Sequence, residues 1–167
     1  MTEIYVLRHC KSDWSGNLQA DRDRPLSARG VRDAGRMGHW MKENEYLPAI
    51  IFCSTAVRAR QTTQLVCEQL SVDQNQIHYL PELYLASCST LLSTIKAQKN
   101  EQGSMMMVGH NPGMDELVSY LADRDVPLTE QGKLMTTGCL ARFRLLQMAK
   151  DLHRQAELLS ITRPSEI

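Results

Sequence analysis

Three short stretches of this chain carry side chains suited to handling a phosphoryl group, and each stands where an apolar run ends. Arg8 and His9 directly follow Ile4-Tyr5-Val6-Leu7. A guanidinium beside an imidazole disfavours the protonated ring, and the neutral ring is a nucleophile that can attack phosphorus. Farther on, Ser54-Thr55-Ala56-Val57-Arg58-Ala59-Arg60-Gln61-Thr62 puts Arg58 in the first turn of an expected helix. A cation there opposes the helix dipole, yet beside free N–H groups it suits an anion, whose two oxygens it can hold bidentately. Arg60 reads as its solvated neighbour. In the third stretch, Val108-Gly109-His110-Asn111-Pro112-Gly113, Gly109 permits a tight turn and His110 is presented at a helix N-terminus, able to donate to a phosphoryl oxygen. Singly, each has an ordinary structural reading: a hydrogen-bonded histidine, a surface arginine, a cap. Together, two arginines could neutralise a phosphoryl group while one histidine attacks it and another stabilises its oxygens.

Such residues need a frame that gathers them. Ile4 to Leu7 reads as a strand, followed by a polar, turn-prone stretch from Ser12 to Arg24. Ser27 is a good N-cap for a helix from about Ala28 to Lys42, with Val31, Ala34, Met37 and Met41 at helical spacing. Ile50 to Cys53 is a continuous apolar run of the kind buried on both faces of a parallel sheet. A second helix is expected from about Ala56 to Leu70, with Val57, Thr62, Leu65, Val66 and Leu70 near one face. Then come a strand over Ile77 to Leu80, a helix over Thr90 to Lys99 and a strand over Met105 to Val108. A helix near Gly113 to Leu121 follows, with Asn111 as cap and Pro112 at its first position. Cys139 to Leu145 and Leu158 to Thr162 read as closing strands. Alternating strands and helices argue an α/β fold, a three-layer sandwich with a central, mostly parallel sheet flanked by helices. Ligands in such sheets lie beyond the carboxyl ends of strands, which is where Arg8-His9, Ser54 to Arg58 and Gly109-His110 fall. The echo of "PLSARG" (Pro25 to Gly30) in "PLTEQG" (Pro127 to Gly132) reads as a reused turn or helix-opening device.

A length of 167 residues suits one domain spanning 1–167. Hydrophobic residues at 43% and charged residues at 23% are globular values. A formal net charge of +0 gives no steering argument for a charged partner. No basic patch for nucleic acid and no Gly-rich nucleotide loop is visible. The longest apolar runs are too short to span a bilayer, and the N-terminus lacks the basic and apolar regions of a secretory signal. We therefore expect no membrane association and a cytoplasmic location. Cys10, Cys53, Cys67, Cys88 and Cys139 form no CxxC pair and fit a reducing setting.

With these motifs in this order, the chain resembles the histidine phosphatase, or phosphoglycerate-mutase-like, superfamily. Arg8 and His9 match its arginine-histidine signature, Arg58 the first arginine of its S-x-x-x-R-A-x-Q-T segment, and His110 its G-H motif. Within the superfamily, "LRHCKSDW", "RPLSARG", "PELYLAS", "VGHNPG" and the short length are similar to the SixA-type phosphohistidine phosphatases, from Ile4 to about Pro164. The resemblance implies a phosphoglycerate-mutase-like fold and a two-step transfer through a phosphohistidine on His9. It gives Arg8 and Arg58 the role of clamp and His110 that of electrostatic stabiliser, with no metal and no cofactor. Its implied substrate is phosphohistidine in a signalling or phosphotransfer protein, with small phosphomonoesters as the alternative. The chain departs from the family at Cys10, usually a glycine, at Thr55, usually a proline, and at Ser15, where many members place an asparagine. Ser15 could still hydrogen-bond phosphate. Glu82 sits where many relatives carry an acidic residue and is the candidate proton donor to the leaving group; a structural role for Glu82, and its replacement by Asp21 or Asp23, stay open.

Rival chemistries fit less well. Cysteine phosphatases need an arginine beyond five intervening residues, but that position holds Gly16 after Cys10 and Ala59 after Cys53. Zinc bound through His9 and His110 lacks a third ligand at recognisable spacing. A mutase traps its bisphosphate under long covering segments, whereas Leu80 to Ser104 spans about one helix, so the open site implies hydrolysis. A phospho-ligand-binding module without turnover would need the arginines but no nucleophile at His9.

Overall fold

The computed structural model describes residues 2–16, 20–98, 103–145 and 150–167. Its strands are β1 (Thr2–Arg8), β2 (Ile50–Ser54), β3 (Ile77–Leu80), β4 (Ser104–Gly109), β5 (Leu140–Leu145) and β6 (Ala156–Thr162). Its helices are α1 (Ala28–Glu43), α2 (Val57–Leu70), α3 (Cys88–Ala97) and α4 (Gly113–Leu121). One sheet runs in the order β3-β2-β4-β1-β5-β6. The first four strands are mutually parallel, and β5 runs antiparallel to both β1 and β6.

Alternation along the inner strands builds two cores. Ile4, Val6, Met105 and Met107 point to the face covered by Leu91 and Ile95 of α3 and Met114, Leu117 and Leu121 of α4. Tyr5, Leu7, Ile51, Cys53, Met106 and Val108 point to the opposite face, against Met37 and Met41 of α1 and Ala59 and Val66 of α2. Strands apolar on both faces are what a sheet buried between two helix layers requires. Each large aliphatic side chain so removed from water contributes about 1.5–3 kcal/mol, so the sheet is held firmly from both sides.

Local chemistry sets the helix starts. The Ser27 hydroxyl accepts from the Gly30 N–H at 3.1 Å and opens α1 where expected. The buried face of α1 centres on Ala34, Met37, Gly38 and Met41, leaving Val31 exposed at its edge, not in the core. Helix α3 begins before Thr90, because Ser87 caps it by accepting from the Thr90 N–H; Lys99, the expected end, lies outside the described residues. At α4, Pro112 occupies the cap position, and the Asn111 amide instead donates to the Met135 carbonyl at 3.3 Å.

Register then gathers the motifs. Arg8 pairs with Gly109 and Cys53 with Val108, so β1, β4 and β2 end side by side at one edge of the sheet.

Candidate active site

At that edge β1 stays pinned one residue past its end. The His9 N–H donates to the Gly109 carbonyl at 3.0 Å, the Arg8 N–H to the Cys139 carbonyl at 3.1 Å, and the Gly138 N–H to the carbonyls of Arg8 and His9, each at 3.1 Å. Gly138 has φ +75°, and a Cβ there would meet Cys10 Sγ at 2.9 Å and Pro164 Cγ at 2.8 Å, so this strap passes close only without a side chain. Gly109 is not in the left-handed region that a tight turn would ask of it; an added Cβ would meet only the flexible end of Met114, at 2.3 Å from Cε.

The pinned backbone fixes the tautomer of His9. Its Nδ1 lies 2.7 Å from the Cys10 carbonyl oxygen. A carbonyl only accepts, so Nδ1 carries the proton and Nε2 keeps its lone pair. The second contact agrees, since Arg58 Nε donates to His9 Nε2 at 3.4 Å. Burial, and behind it the charges of Arg58 and Arg8, lower the His9 pKa to about 3. The ring is therefore neutral at physiological pH.

Arg58, on the first turn of α2 and only 2% exposed, is the hub. Its Nη1 donates to the Asp21 carbonyl oxygen at 2.6 Å, and its Nη2 to Asp21 Oδ2 at 3.0 Å and to His110 Nδ1 at 3.3 Å. Because His110 Nδ1 accepts, its Nε2 bears the proton and donates to Ser54 Oγ at 2.7 Å. Burial and the Arg58 guanidinium lower the His110 pKa to about 4, opposed by Asp21. The two imidazoles face each other with ring centroids 5.0 Å apart. Tyr84 meets the His110 ring edge-on and donates its hydroxyl to Asp21 Oδ2 at 2.6 Å. That hydrogen bond, with Arg58, holds the Asp21 carboxyl below the usual carboxylate range.

These groups floor an open cleft of about 240 Å³ lined also by Arg8, Lys11, Ser12, Trp14, Arg24 and Leu85. Arg8 Nη1 donates to the Met135 carbonyl at 2.7 Å, while its buried Nε has no partner. Arg24 stacks 3.4 Å from the Trp14 ring centroid and donates to Asp21 Oδ1 at 2.8 Å. Four cationic side chains thus share the cleft with one carboxylate, Asp21, among the described residues. Such a cavity suits a small, highly charged anion.

Of the residues singled out from sequence, Arg8, His9, Arg58 and His110 converge here. Ser15 does not: it is exposed, its N–H donates to Asp13 Oδ1 at 2.9 Å, and it is absent from the cleft wall. Glu82 does not either. In the helical turn Pro81–Leu83, Leu83 goes into the core and Glu82 points out to line a separate cavity with Phe52, Thr90 and Thr94. Asp23 is exposed outside the cleft. The expectation of a partly buried Glu82 carboxyl beside phosphate is therefore corrected, and we predict that Glu82→Gln leaves kcat/KM unchanged, because its side chain lines a different cavity. A loss of tenfold or more in steady-state assays would contradict that placement. Cys10 is buried against Leu26 and Ala34, with its thiol pushed up to about 12 by burial, and it does not line the cleft. Sequence reasoning missed Tyr84, Ser54, Arg24 and Trp14; for Tyr84 a signal existed, since it stands in the same "PELY" run that drew attention to Glu82.

Comparison with known proteins agrees with this geometry. The family model of the histidine phosphatase superfamily (branch 1) matches residues 4–107. His110 lies beyond that match; the G-H motif marks it in the sequence and the geometry brings it into the site. An uncharacterized protein of Mycobacterium tuberculosis is 37% identical over 118 residues, 70% of this chain and 70% of that protein. A candidate phosphohistidine phosphatase SixA from Agrobacterium tumefaciens superposes with a TM-score of 0.82 at 32% identity, over 98% of this chain and 99% of its own. The protein histidine phosphatase SixA complexed with tungstate superposes with a TM-score of 0.81 at 22% identity, over 98% and 97% of the two chains, a likeness of fold. The α/β architecture is the phosphoglycerate-mutase-like one, and with Arg8, His9 and Arg58 all inside the matched residues, the chain belongs to the histidine phosphatase superfamily.

Proposed function

We propose that residues 1–167 form one metal-independent phosphatase domain that hydrolyses a phosphoryl group through a phosphohistidine on His9, with phosphohistidine in a signalling or phosphotransfer protein as substrate. The carrying observation is the tautomer of His9: its Nδ1–H donates to the Cys10 carbonyl at 2.7 Å, which leaves the Nε2 lone pair facing Arg58. A neutral, pre-oriented imidazole among cationic side chains is what attack on a phosphoryl anion needs.

Arg8 and Arg58 neutralise the phosphoryl oxygens as His9 Nε2 bonds to phosphorus and the bond to the leaving nitrogen breaks. The leaving imidazole takes up a proton, and water then attacks the phosphorus, releasing inorganic phosphate and the neutral His9 ring. His110 accepts at Nδ1 in the free protein, so it donates to a phosphoryl oxygen only after the arriving anion has brought a proton onto that nitrogen. The one carboxylate on the cleft wall, Asp21, is held ionised and is no ready acid. A P–N bond, whose leaving imidazole is a far weaker base than an alkoxide, asks least of such an acid, which favours phosphohistidine over an alkyl ester. Among the described residues no cluster of three or more His, Cys, Asp or Glu side chains is placed to hold a metal ion. No helix among them is long and apolar enough to cross a membrane.

The substrate is tested by steady-state rates at neutral pH on a phosphohistidine-bearing phosphotransfer domain and on an aryl phosphate, each with and without a chelator. We expect a kcat/KM at least about 10²-fold higher on the protein, unchanged by chelation. A rate confined to the aryl phosphate would assign the enzyme to small phosphomonoesters, and a chelator-sensitive rate restored by metal would overturn metal independence.

The histidine environments also set a pH expectation. Their folded pKa values of about 3 and about 4 lie below the ordinary imidazole value near 6.5. Corrected for substrate ionisation, kcat/KM should therefore hold through pH 6.5 and fall only near pH 3, where His9 itself takes a proton. The unfolded chain binds protons at these histidines below about pH 6.5 while the folded chain does not, so stability declines from there toward the folded values. An acid limb centred at pH 6.5 would contradict these environments.

A further inference from the structure

Asp21 covers both terminal nitrogens of Arg58, the carbonyl oxygen on Nη1 at 2.6 Å and the carboxylate on Nη2 at 3.0 Å. With His110 on the second Nη2 hydrogen at 3.3 Å and His9 on Nε at 3.4 Å, one N–H of Arg58 is left free, and no bidentate grip on a phosphoryl group forms until one of these partners gives way. The two partners differ in freedom, because the Arg58 side chain is 2% exposed and the Asp21 side chain 45%. Asp21 is therefore the member that moves. Tyr84 and Arg24 donate to the same carboxylate, at 2.6 Å and 2.8 Å, and seat it against Arg58. A phosphoryl dianion and a carboxylate also repel within a few ångströms in a partly desolvated cleft.

We propose that Asp21 is a specificity-determining residue, an internal competitor that occupies the Arg58 clamp until a phosphoryl group displaces it. The inference rests on the proposed function of the same site. Displacement lowers the apparent affinity of every anion that uses Arg58 by the fraction of molecules whose clamp is free. Inorganic phosphate, with no contacts beyond the clamp, then leaves the site readily. A substrate that also touches the rim at Trp14 and Leu85 still binds. Asp21 is in this way a guard against occupation by the product.

The test is calorimetric titration of inorganic phosphate into the wild-type protein, Asp21→Asn and Tyr84→Phe at neutral pH, with kcat and KM for an aryl phosphate measured beside it. The expected result is a Kd for phosphate roughly three- to tenfold lower in Asp21→Asn, the scale of one partly exposed ionic contact. KM should fall in parallel. Tyr84→Phe, which removes one of the two groups seating the carboxylate, should lower Kd in the same direction but less, and it stands in should Asp21→Asn fail to fold. Phosphate bound equally or more weakly by the variants overturns the guard while leaving the phosphatase reading intact. A loss of kcat with unchanged Kd overturns it too and makes Asp21 a proton donor. Absence of phosphate binding in all three proteins would overturn the clamp itself, and the proposed function with it.

Discussion

Replacing His9 by alanine should abolish turnover of every phosphorylated substrate, by roughly 10⁴-fold or more, while the protein stays folded; losses of this size follow removal of a covalent nucleophile. The expectation rests on atoms already named. His9 Nε2 keeps a lone pair met only by a long contact, 3.4 Å from Arg58 Nε; the His110 ring, whose Nδ1 meets Arg58 Nη2 at 3.3 Å, is tied at Nε2 to Ser54. Cys10 cannot replace it, being buried away from the cleft with a protonated thiol. The fold should survive because His9 makes its structural contacts through its backbone N–H and carbonyl, which alanine keeps. Melting curves and kcat on one substrate decide the matter: a folded variant with rates within tenfold of wild type would remove His9 from the chemistry.

Arg58→Ala should be almost as damaging, lowering kcat/KM by about 10²–10³-fold, the range found when one preorganised charge donor is taken from a transition state. Arg58 also supplies part of the repulsion that keeps both histidines neutral, so its loss should move the acid limb of the pH profile up toward the ordinary imidazole value. That second effect separates electrostatic function from general damage, because misfolding lowers rates without shifting a pKa. Arg58→Lys restores the charge but not the fork that meets two acceptors at once, so it should rescue the pH profile more than the rate. An Arg58→Ala protein with an unshifted profile and near-normal kcat/KM would contradict its place at the hub.

The elements that were readable from sequence are those whose pattern is set by burial alone. Ile50 to Cys53 and Met105 to Val108 are apolar throughout because both sheet faces are covered, and a local window shows it. Ser27 announced α1 because a cap acts within three residues. The reading weakened wherever distant segments decide the outcome. Glu82 and Tyr84 occupy one turn, and only the insertion of Leu83 into the core determines that the carboxylate faces out while the phenol reaches Asp21. Ser15 was placed by likeness to an asparagine, but its N–H closes a local turn on Asp13 and its side chain stays at the surface. The strap at Gly138, which holds Arg8 and His9 in place, comes from well over a hundred residues downstream, where no local pattern could mark it. The convergence of Arg8, His9, Arg58 and His110 was legible because each follows the end of a strand in a parallel sheet, where side chains gather at one edge; their tautomers and partners were not.

The central claim is a phosphoryl group covalently held by His9. The most direct measurement is rapid acid-free quenching of the enzyme during turnover of a radiolabelled phosphohistidine protein, followed by peptide mapping under alkaline conditions, in which a phosphohistidine survives. The account predicts label on the peptide containing His9, absent in His9→Ala and lost on brief exposure to acid. Label on His110 or on a cysteine, or full turnover with no labelled peptide at any time, would contradict it.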